Sequence, residues 1–373
     1  MMKVAADDTE LIKVELIEPQ AALYNVAAPY NLTIGAQGSG KSHNIGIGSG
    51  FFVEYCPNVI GIIAANTYDQ LSRATLKETF GTWKEIFGWT EYNAKANPGG
   101  FFVIDKEPPA HFKNHGHTFK SNNNNIYFAN GAVVFVASLE NYTAIEGVEV
   151  GWGMLDETAD TREEALTSVI TGRLRQKGLC AAKEPIDGIF PYCPSDHPAA
   201  GKPVNPLFVF TKPARVPWLN NLFKLEDNRA EIIQKIYNKN DFFYNFDGVR
   251  QVIIYSVFLN QRNLPAGFIE NRMDLLDGSG LLDSHVWGNP FSKTGGEFVT
   301  EFDAGKHTGA AQLDIKYPLH FSVDFNAKPY MSGLIMQIKP EGDRIRLNVV
   351  DEYSLESPRN TAGHLAEAVT EDY

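Results

Sequence analysis

Cysteine is nearly absent: three in 373 residues (Cys56, Cys180, Cys193), with no CxxC pair. That excludes a disulfide-stapled scaffold and a Cys-rich structural zinc site. Long apolar runs are missing too, since the longest, Val59 to Ala65, falls far short of the roughly 20 residues that span a bilayer. The opening Met1-Met2-Lys3-Val4-Ala5-Ala6-Asp7-Asp8 turns acidic where a signal peptide carries its apolar stretch. Basic residues are outnumbered 33 to 45, for a net charge of −12, which argues against a histone-like mode of nucleic-acid binding. No repeat shows, and the only low-complexity run is Asn122 to Asn125, an expected exposed loop. What is present is 43% hydrophobic and 12% aromatic residues, enough for substantial cores and incompatible with a disordered chain. The length suggests two or three domains. The expectation is a soluble cytosolic protein. Its charge is uneven, with thirteen basic and eight acidic residues from Arg173 to Arg262.

Tyr30 to Ile34 reads as a buried strand that runs into glycines, followed by a helix from Lys41 to about Tyr55. Gly46, Gly48 and Gly50 make that helix poor by propensity. Leu11 to Leu16 alternates like a short strand, Val59 to Ala65 reads as a second buried strand, and Asp69 to Phe87 has helical spacing. Ile126 to Ala129 and Ala132 to Ala137 flank Asn130-Gly131, a hairpin signal. Met154 and Leu155 end a strand at Asp156-Glu157, and Ile253 to Leu259 reads as a strand before a helix reaching Leu276. Gly278 to Gly296 reads as a loop. Three strands at hairpin-like spacing (His320 to Phe325, Met331 to Gln337, Ile345 to Val350) and a helix over Asn360 to Val369 close the chain.

Gly35-Ala36-Gln37-Gly38-Ser39-Gly40-Lys41-Ser42 fits GxxxxGK[ST] between a strand and a helix. Its glycines let backbone N–H groups turn around the oxygens of a triphosphate, and the helix N-terminus adds its dipole. Lys41 then reaches the β- and γ-phosphates of ATP, and Ser42 coordinates Mg²⁺. Such a site needs a carboxylate for the metal at the end of a neighbouring strand. Asp156 supplies it, and Glu157 is placed to polarise the attacking water. The Val59 and Ala132 strands fit between Lys41 and Asp156, which implies an extra strand between the two nucleotide strands and an additional-strand, catalytic-glutamate ATPase. His111, His115 and His117 have metal-like spacing but lie in a polar loop, and Trp83, Phe87 and Trp89 read as helix core.

In this order the motifs resemble the large terminase subunit of tailed bacteriophages, the ATPase-nuclease that packages DNA, from about Glu18 to Tyr373. Pro19-Gln20 resembles the family's adenine-contacting glutamine. Thr171-Gly172-Arg173-Leu174-Arg175 is similar to the basic segment after the catalytic glutamate. Phe210-Thr211-Lys212-Pro213, followed by Trp218, resembles the coupling motif that links the γ-phosphate to a lid, with Lys212 in place of the common Asn. Asn260 to Leu264, then Gly295 to Phe298, resembles the end of the ATPase region. Related motors often carry an arginine at the Ile145-Glu146-Gly147 position. Glu146 stands there instead, which leaves Arg173, Arg175 or a neighbouring subunit's arginine as the finger.

Phe321-Ser322-Val323-Asp324-Phe325-Asn326 looks like the first strand of the family's RNase H-like nuclease, whose aspartate binds Mg²⁺ or Mn²⁺. Val349 to Tyr353 matches the next strand, with Asp351 or Glu352 as further metal ligands. The resemblance thus implies an ATPase core with lid over residues 1–296, a linker over 297–315, and the front part of a nuclease over 316–373, incomplete as a nuclease by itself. It also implies ATP-driven translocation of viral double-stranded DNA into a procapsid, in the host cytoplasm. The implied partners are the portal, the small terminase subunit and a homo-oligomeric ring, a pentamer by resemblance. A helicase or other DNA-remodelling ATPase, or a slow nucleotide-dependent switch, is the alternative reading.

Overall fold

The computed structural model describes residues 2–6, 9–26, 28–145, 147–177, 204–214, 216–292, 309, 313–324, 330–342, 344–356 and 358–372. The chain divides into two compact units, Met1–Glu297 and Phe298–Tyr373. No helix among the described residues is long and apolar enough to cross a membrane.

The first unit opens with a hairpin, β1 (Met2–Ala6) and β2 (Thr9–Val14), and helix α1 (Glu18–Tyr24). Its centre is a sheet of nine strands: β3 (Tyr30–Gly35), β4 (Ile60–Ala65), β5 (Phe102–Ile104), β6 (Asn125–Phe128), β7 (Val133–Ser138), β8 (Trp152–Asp156), β9 (Leu207–Thr211), β10 (Phe242–Phe246) and β11 (Arg250–Tyr255). Their order is β10-β11-β3-β9-β8-β4-β7-β6-β5. The six strands from β11 to β7 are parallel, and antiparallel strands close both edges. Strands β4, β8 and β9 are buried along their whole length, as central strands of a parallel sheet covered on both faces are.

Helix α2 (Lys41–Tyr55) packs on one face through Phe51 and Phe52, with Trp83 of α4 (Leu76–Phe87). On the other face lie Ile170, Leu219 of α6 (Pro217–Leu222) and Ile232 and Ile236 of α7 (Arg229–Ile236). The glycines of α2 answer to this packing. A Cβ on Gly46, Gly48 or Gly50 would fall 2.4 Å from Thr82, 2.5 Å from Met154 or 2.2 Å from Phe87, so close approach outweighs the ~1 kcal/mol per glycine of lost helix propensity.

Several elements differ from the sequence reading. The strand between the two nucleotide strands is β9, which comes later in the chain, while the Val59 and Ala132 strands (β4 and β7) lie beyond β8. Leu207–Phe210 is a four-residue apolar run, too short for periodicity to classify. The strand expected over Ile253 to Leu259 spans Arg250–Tyr255, ends where the Tyr255 carbonyl accepts the Ala36 amide of the phosphate loop (3.2 Å), and gives way to a 3₁₀ helix, Val257–Asn263. Helix α8 (Phe268–Leu276) follows, and the Gly278 to Gly296 loop contains a π turn, Asp283–Trp287; residues 293–296 lie outside the described residues. The helical run expected from Asp69 is three pieces: α3 (Tyr68–Gln70), a π turn over Leu71–Thr75, and α4.

The second unit is an antiparallel meander of β12 (Leu319–Asp324), β13 (Tyr330–Glu341) and β14 (Arg344–Glu356), followed by α9 (Ala362–Asp372). Leu365 of α9 packs on Met331, Ile335 and Tyr353.

Candidate nucleotide and metal site

Parallel pairing in register brings the carboxyl ends of β3, β9, β8 and β4 to one edge, where Ile34 lies beside Thr211 and Ala65 beside Asp156. Clefts at such an edge are where open α/β sheets bind ligands. Here the phosphate loop leaves β3 and enters α2. Gly35 is required because a Cβ there would sit 2.3 Å from the Ser39 hydroxyl and 2.8 Å from Lys41. Gly40 caps α2 with φ 85°, a left-handed conformation that costs glycine little. The first N–H groups of a helix have no intrahelical partner, so those of α2 face the loop as anion donors.

Lys41, Asp156 and Glu157 converge on this loop. Lys41 and Asp156 are 9% and 2% exposed. Burial pulls the Lys41 ammonium below the usual lysine range, opposed by the charges of Glu157 and Asp156. Burial pushes the Asp156 carboxyl up, opposed by a hydrogen bond from Thr75, the Lys41 charge, the Glu157 amide and the Ser42 hydroxyl. Glu157 is also raised by burial, with Lys41 opposing and Asp156 reinforcing. Its backbone is left-handed (φ 49°), a conformation that costs a side-chain-bearing residue on the order of 1 kcal/mol. Its Oε2 is buried without a hydrogen-bond partner. A buried, unpaired carboxylate oxygen beside a lysine ammonium suits a group that takes up a water when substrate binds. The Ser42 hydroxyl and Asp156 carboxylate are hard oxygen donors, the kind Mg²⁺ prefers alongside phosphate.

A cleft of about 440 Å³ lies over the loop, lined by Lys41, Ser42, His43, Arg73, Lys77 and Asn260 among others. A second, of about 590 Å³, shares Gly40, His43 and Asn260 with it and reaches Gln20, Arg262 and Asn263. Gln20 is buried at this junction and donates to the Gly40 carbonyl (3.2 Å) while accepting the Ile17 amide (3.2 Å). Gln37, also in the loop, accepts from Arg272, whose guanidinium contacts His285 Nδ1 (3.1 Å). Asn260 donates to the Gly38 carbonyl (2.8 Å). Thr75, Asn260, Arg272 and His285 thus belong to the site. No spacing relative to the phosphate loop marks them in the sequence.

Thr211 is buried at the end of β9, where its hydroxyl accepts the Ala159 amide (2.9 Å). Lys212 pairs with Asp160 (2.7 Å). Arg173, in the short helix α5 (Thr171–Arg173), and Arg175 are not brought to the phosphate loop of their own chain. Leu174 bridges to Val150 ahead of β8, six residues before Asp156 and so roughly 20 Å away along the strand. Arg175 is paired with Glu149 (2.9 Å), and Glu146 lies outside the described residues.

In the second unit, Asp324 is level with Ser332, and Ser332 with Ser354; Leu334 pairs with Ser322 on one side and Glu352 on the other. Alternation along strands therefore puts Asp324 and Glu352 on one face of the sheet. Asp351, opposite Ile335, is on the face that packs against Leu365, and its carboxylate accepts the Glu352 amide (2.9 Å). Asn326 lies outside the described residues, as do Cys180 and Cys193. Trp83 and Trp89 are core residues, and His115 packs on Tyr127 with centroids 5.2 Å apart.

No family model matches the sequence, and no curated protein matches it. Among solved structures, the chain is similar to the large terminase of a thermophilic bacteriophage in complex with ADP, at 13% identity and TM-score 0.44, covering 96% of this chain and 74% of that one. It is also similar to the Thermus phage P74-26 large terminase ATPase domain (14%, TM-score 0.43, covering 74% and 94%). A third is the Phi-28 gp11 DNA packaging motor (11%, TM-score 0.37, covering 86% and 76%). The α/β class itself rests on the sheet order described above.

Proposed function

We propose that this chain is the ATP-hydrolysing subunit of a viral DNA-packaging motor. The observation that carries the reading is the meeting of the phosphate loop with Asp156 and Glu157 at one sheet edge, with the Glu157 Oε2 buried and unpaired. In this reading Lys41 and the loop amides bind the β- and γ-phosphates, and Ser42 and Asp156 would hold a Mg²⁺ ion that would supply charge neutralisation at the transferring phosphoryl group. Glu157 orients the attacking water. Gln20, beside Gly40 at the junction of the two clefts, contacts the base. Thr211 couples hydrolysis to movement of a lid within an ATPase region spanning residues 1–296. Order and identity of the motifs support the terminase assignment, and with it translocation of double-stranded DNA through a portal in the host cytoplasm, a homo-oligomeric ring and a small-subunit partner. Residues 316–373 then contribute Asp324 and Glu352 to a metal-dependent endonuclease that cuts concatemeric DNA. The direct test is ATP turnover in Mg²⁺. Lys41→Ala is expected to lose productive nucleotide binding. Glu157→Gln is expected to keep ATP bound while turnover falls by about a hundredfold or more. Equal turnover in Glu157→Gln and the unaltered protein would remove Glu157 from the mechanism.

A further inference from the structure

Asp156 does not stand alone at the end of β8. The Thr75 hydroxyl donates to its Oδ2 at 2.7 Å, and the Glu157 amide donates to its Oδ1 at 3.0 Å. Both side chains are almost wholly buried, Thr75 at 1% and Asp156 at 2% exposure. Thr75 is the last residue of the π turn Leu71–Thr75, and its own carbonyl accepts the Thr79 hydroxyl at 2.7 Å. A π turn inserts a residue into the helical path and is found disproportionately at functional sites. Each added residue rotates the following side chains by about 100°. This turn therefore sets where Thr75 points. The same segment carries Arg73, and the adjoining turn Lys77, on the wall of the phosphate cleft.

We infer that Thr75 is a positioning residue for the metal-binding carboxylate: its hydroxyl fixes the rotation of Asp156 so that the remaining lone pairs face Ser42 and the phosphate loop. The inference rests on the nucleotide reading above. Thr75 and the Glu157 amide occupy one acceptor site on each oxygen, and the Ser42 hydroxyl takes one of the two that remain. Groups that orient a metal's ligands typically change its affinity by about ten- to a hundredfold when removed. A purely architectural hydroxyl would instead act on folding alone.

The test is binding of a fluorescent ADP analogue, titrated with Mg²⁺ and, separately, in EDTA, for the unaltered protein, Thr75→Ser and the near-isosteric Thr75→Val. Thr75→Val is expected to raise the Mg²⁺ concentration for half-maximal tight binding by about tenfold, with binding in EDTA unchanged. Thr75→Ser, which keeps the hydroxyl, is expected to restore the Mg²⁺ dependence. An unchanged Mg²⁺ dependence in Thr75→Val overturns the inference, as does an equal loss of affinity with and without Mg²⁺ or a failure of Thr75→Ser to restore it. If thermal melts show that Thr75→Val is unfolded, Thr75→Ala takes its place under the same outcomes. Absence of any Mg²⁺-dependent nucleotide binding by the unaltered protein would overturn the nucleotide reading itself, and this inference with it.

Discussion

Thr211 and Ala159 are joined across the site: the Thr211 hydroxyl, at the end of β9, accepts the Ala159 amide at 2.9 Å. Ala159 is two residues past Glu157, and the next residue, Asp160, pairs with Lys212 at 2.7 Å. The loop that carries Glu157 is thus tied twice to the end of β9, the strand between β3 and β8. A shift in one is transmitted to the other. Thr211→Val is expected to leave nucleotide affinity within about twofold but to lower ATP turnover by roughly tenfold, through lost placement of the Glu157 loop. Parallel binding and turnover measurements check this. Lost binding with unchanged turnover per bound nucleotide would show that Thr211 has no coupling role.

The glycines of α2 and α4 give a prediction whose sign is decided by packing. A Cβ added to Gly81, in α4, would meet nothing within 4 Å, so Gly81→Ala is expected to stabilise the protein by about 1 kcal/mol through helix propensity. Gly46→Ala gains the same propensity but drives its Cβ to 2.4 Å from Thr82, and overpacking of this kind costs about 1–3 kcal/mol. Urea denaturation should therefore move the two midpoints in opposite directions.

Arg173 and Arg175 sit at the sheet end away from their own phosphate loop, so any role in hydrolysis requires a second subunit. Specific ATPase activity is expected to rise with protein concentration. Doping Arg173→Ala or Arg175→Ala subunits into the unaltered protein should lower activity more than in proportion to their share, since a finger arginine is worth about a thousandfold in related phosphoryl-transfer systems. Activity that is flat with concentration, and inhibition that is strictly proportional, would rule the trans role out.

The register of β12 to β14 separates the acids of the second unit. In a chain that carries this unit and cleaves DNA in Mn²⁺, Asp324→Ala and Glu352→Ala are each expected to reduce cleavage by about a hundredfold or more, because two-metal hydrolysis needs converging carboxylates. Asp351→Ala, on the helix-packed face, is expected to change cleavage by no more than a few fold. Plasmid nicking assays compare the three directly. Loss of cleavage in Asp351→Ala alone would reassign the metal face.

By itself the sequence determined the phosphate loop, the strands and helix that frame it, the Asp156-Glu157 pair and the Asn130-Gly131 hairpin. These are encoded locally, by glycine spacing, apolar runs and turn chemistry that act within a few residues. Tertiary structure alone decided that β9 enters between β3 and β8, because a four-residue apolar run takes its place only from the strands available to pair with it. It also decided that Thr75, Asn260 and Arg272 reach the site from residues up to 235 positions away from their partners. Hydrogen bonds of that kind leave no periodicity in the chain, and the glycines of α2, unfavourable by local propensity, make sense only against Thr82, Met154 and Phe87.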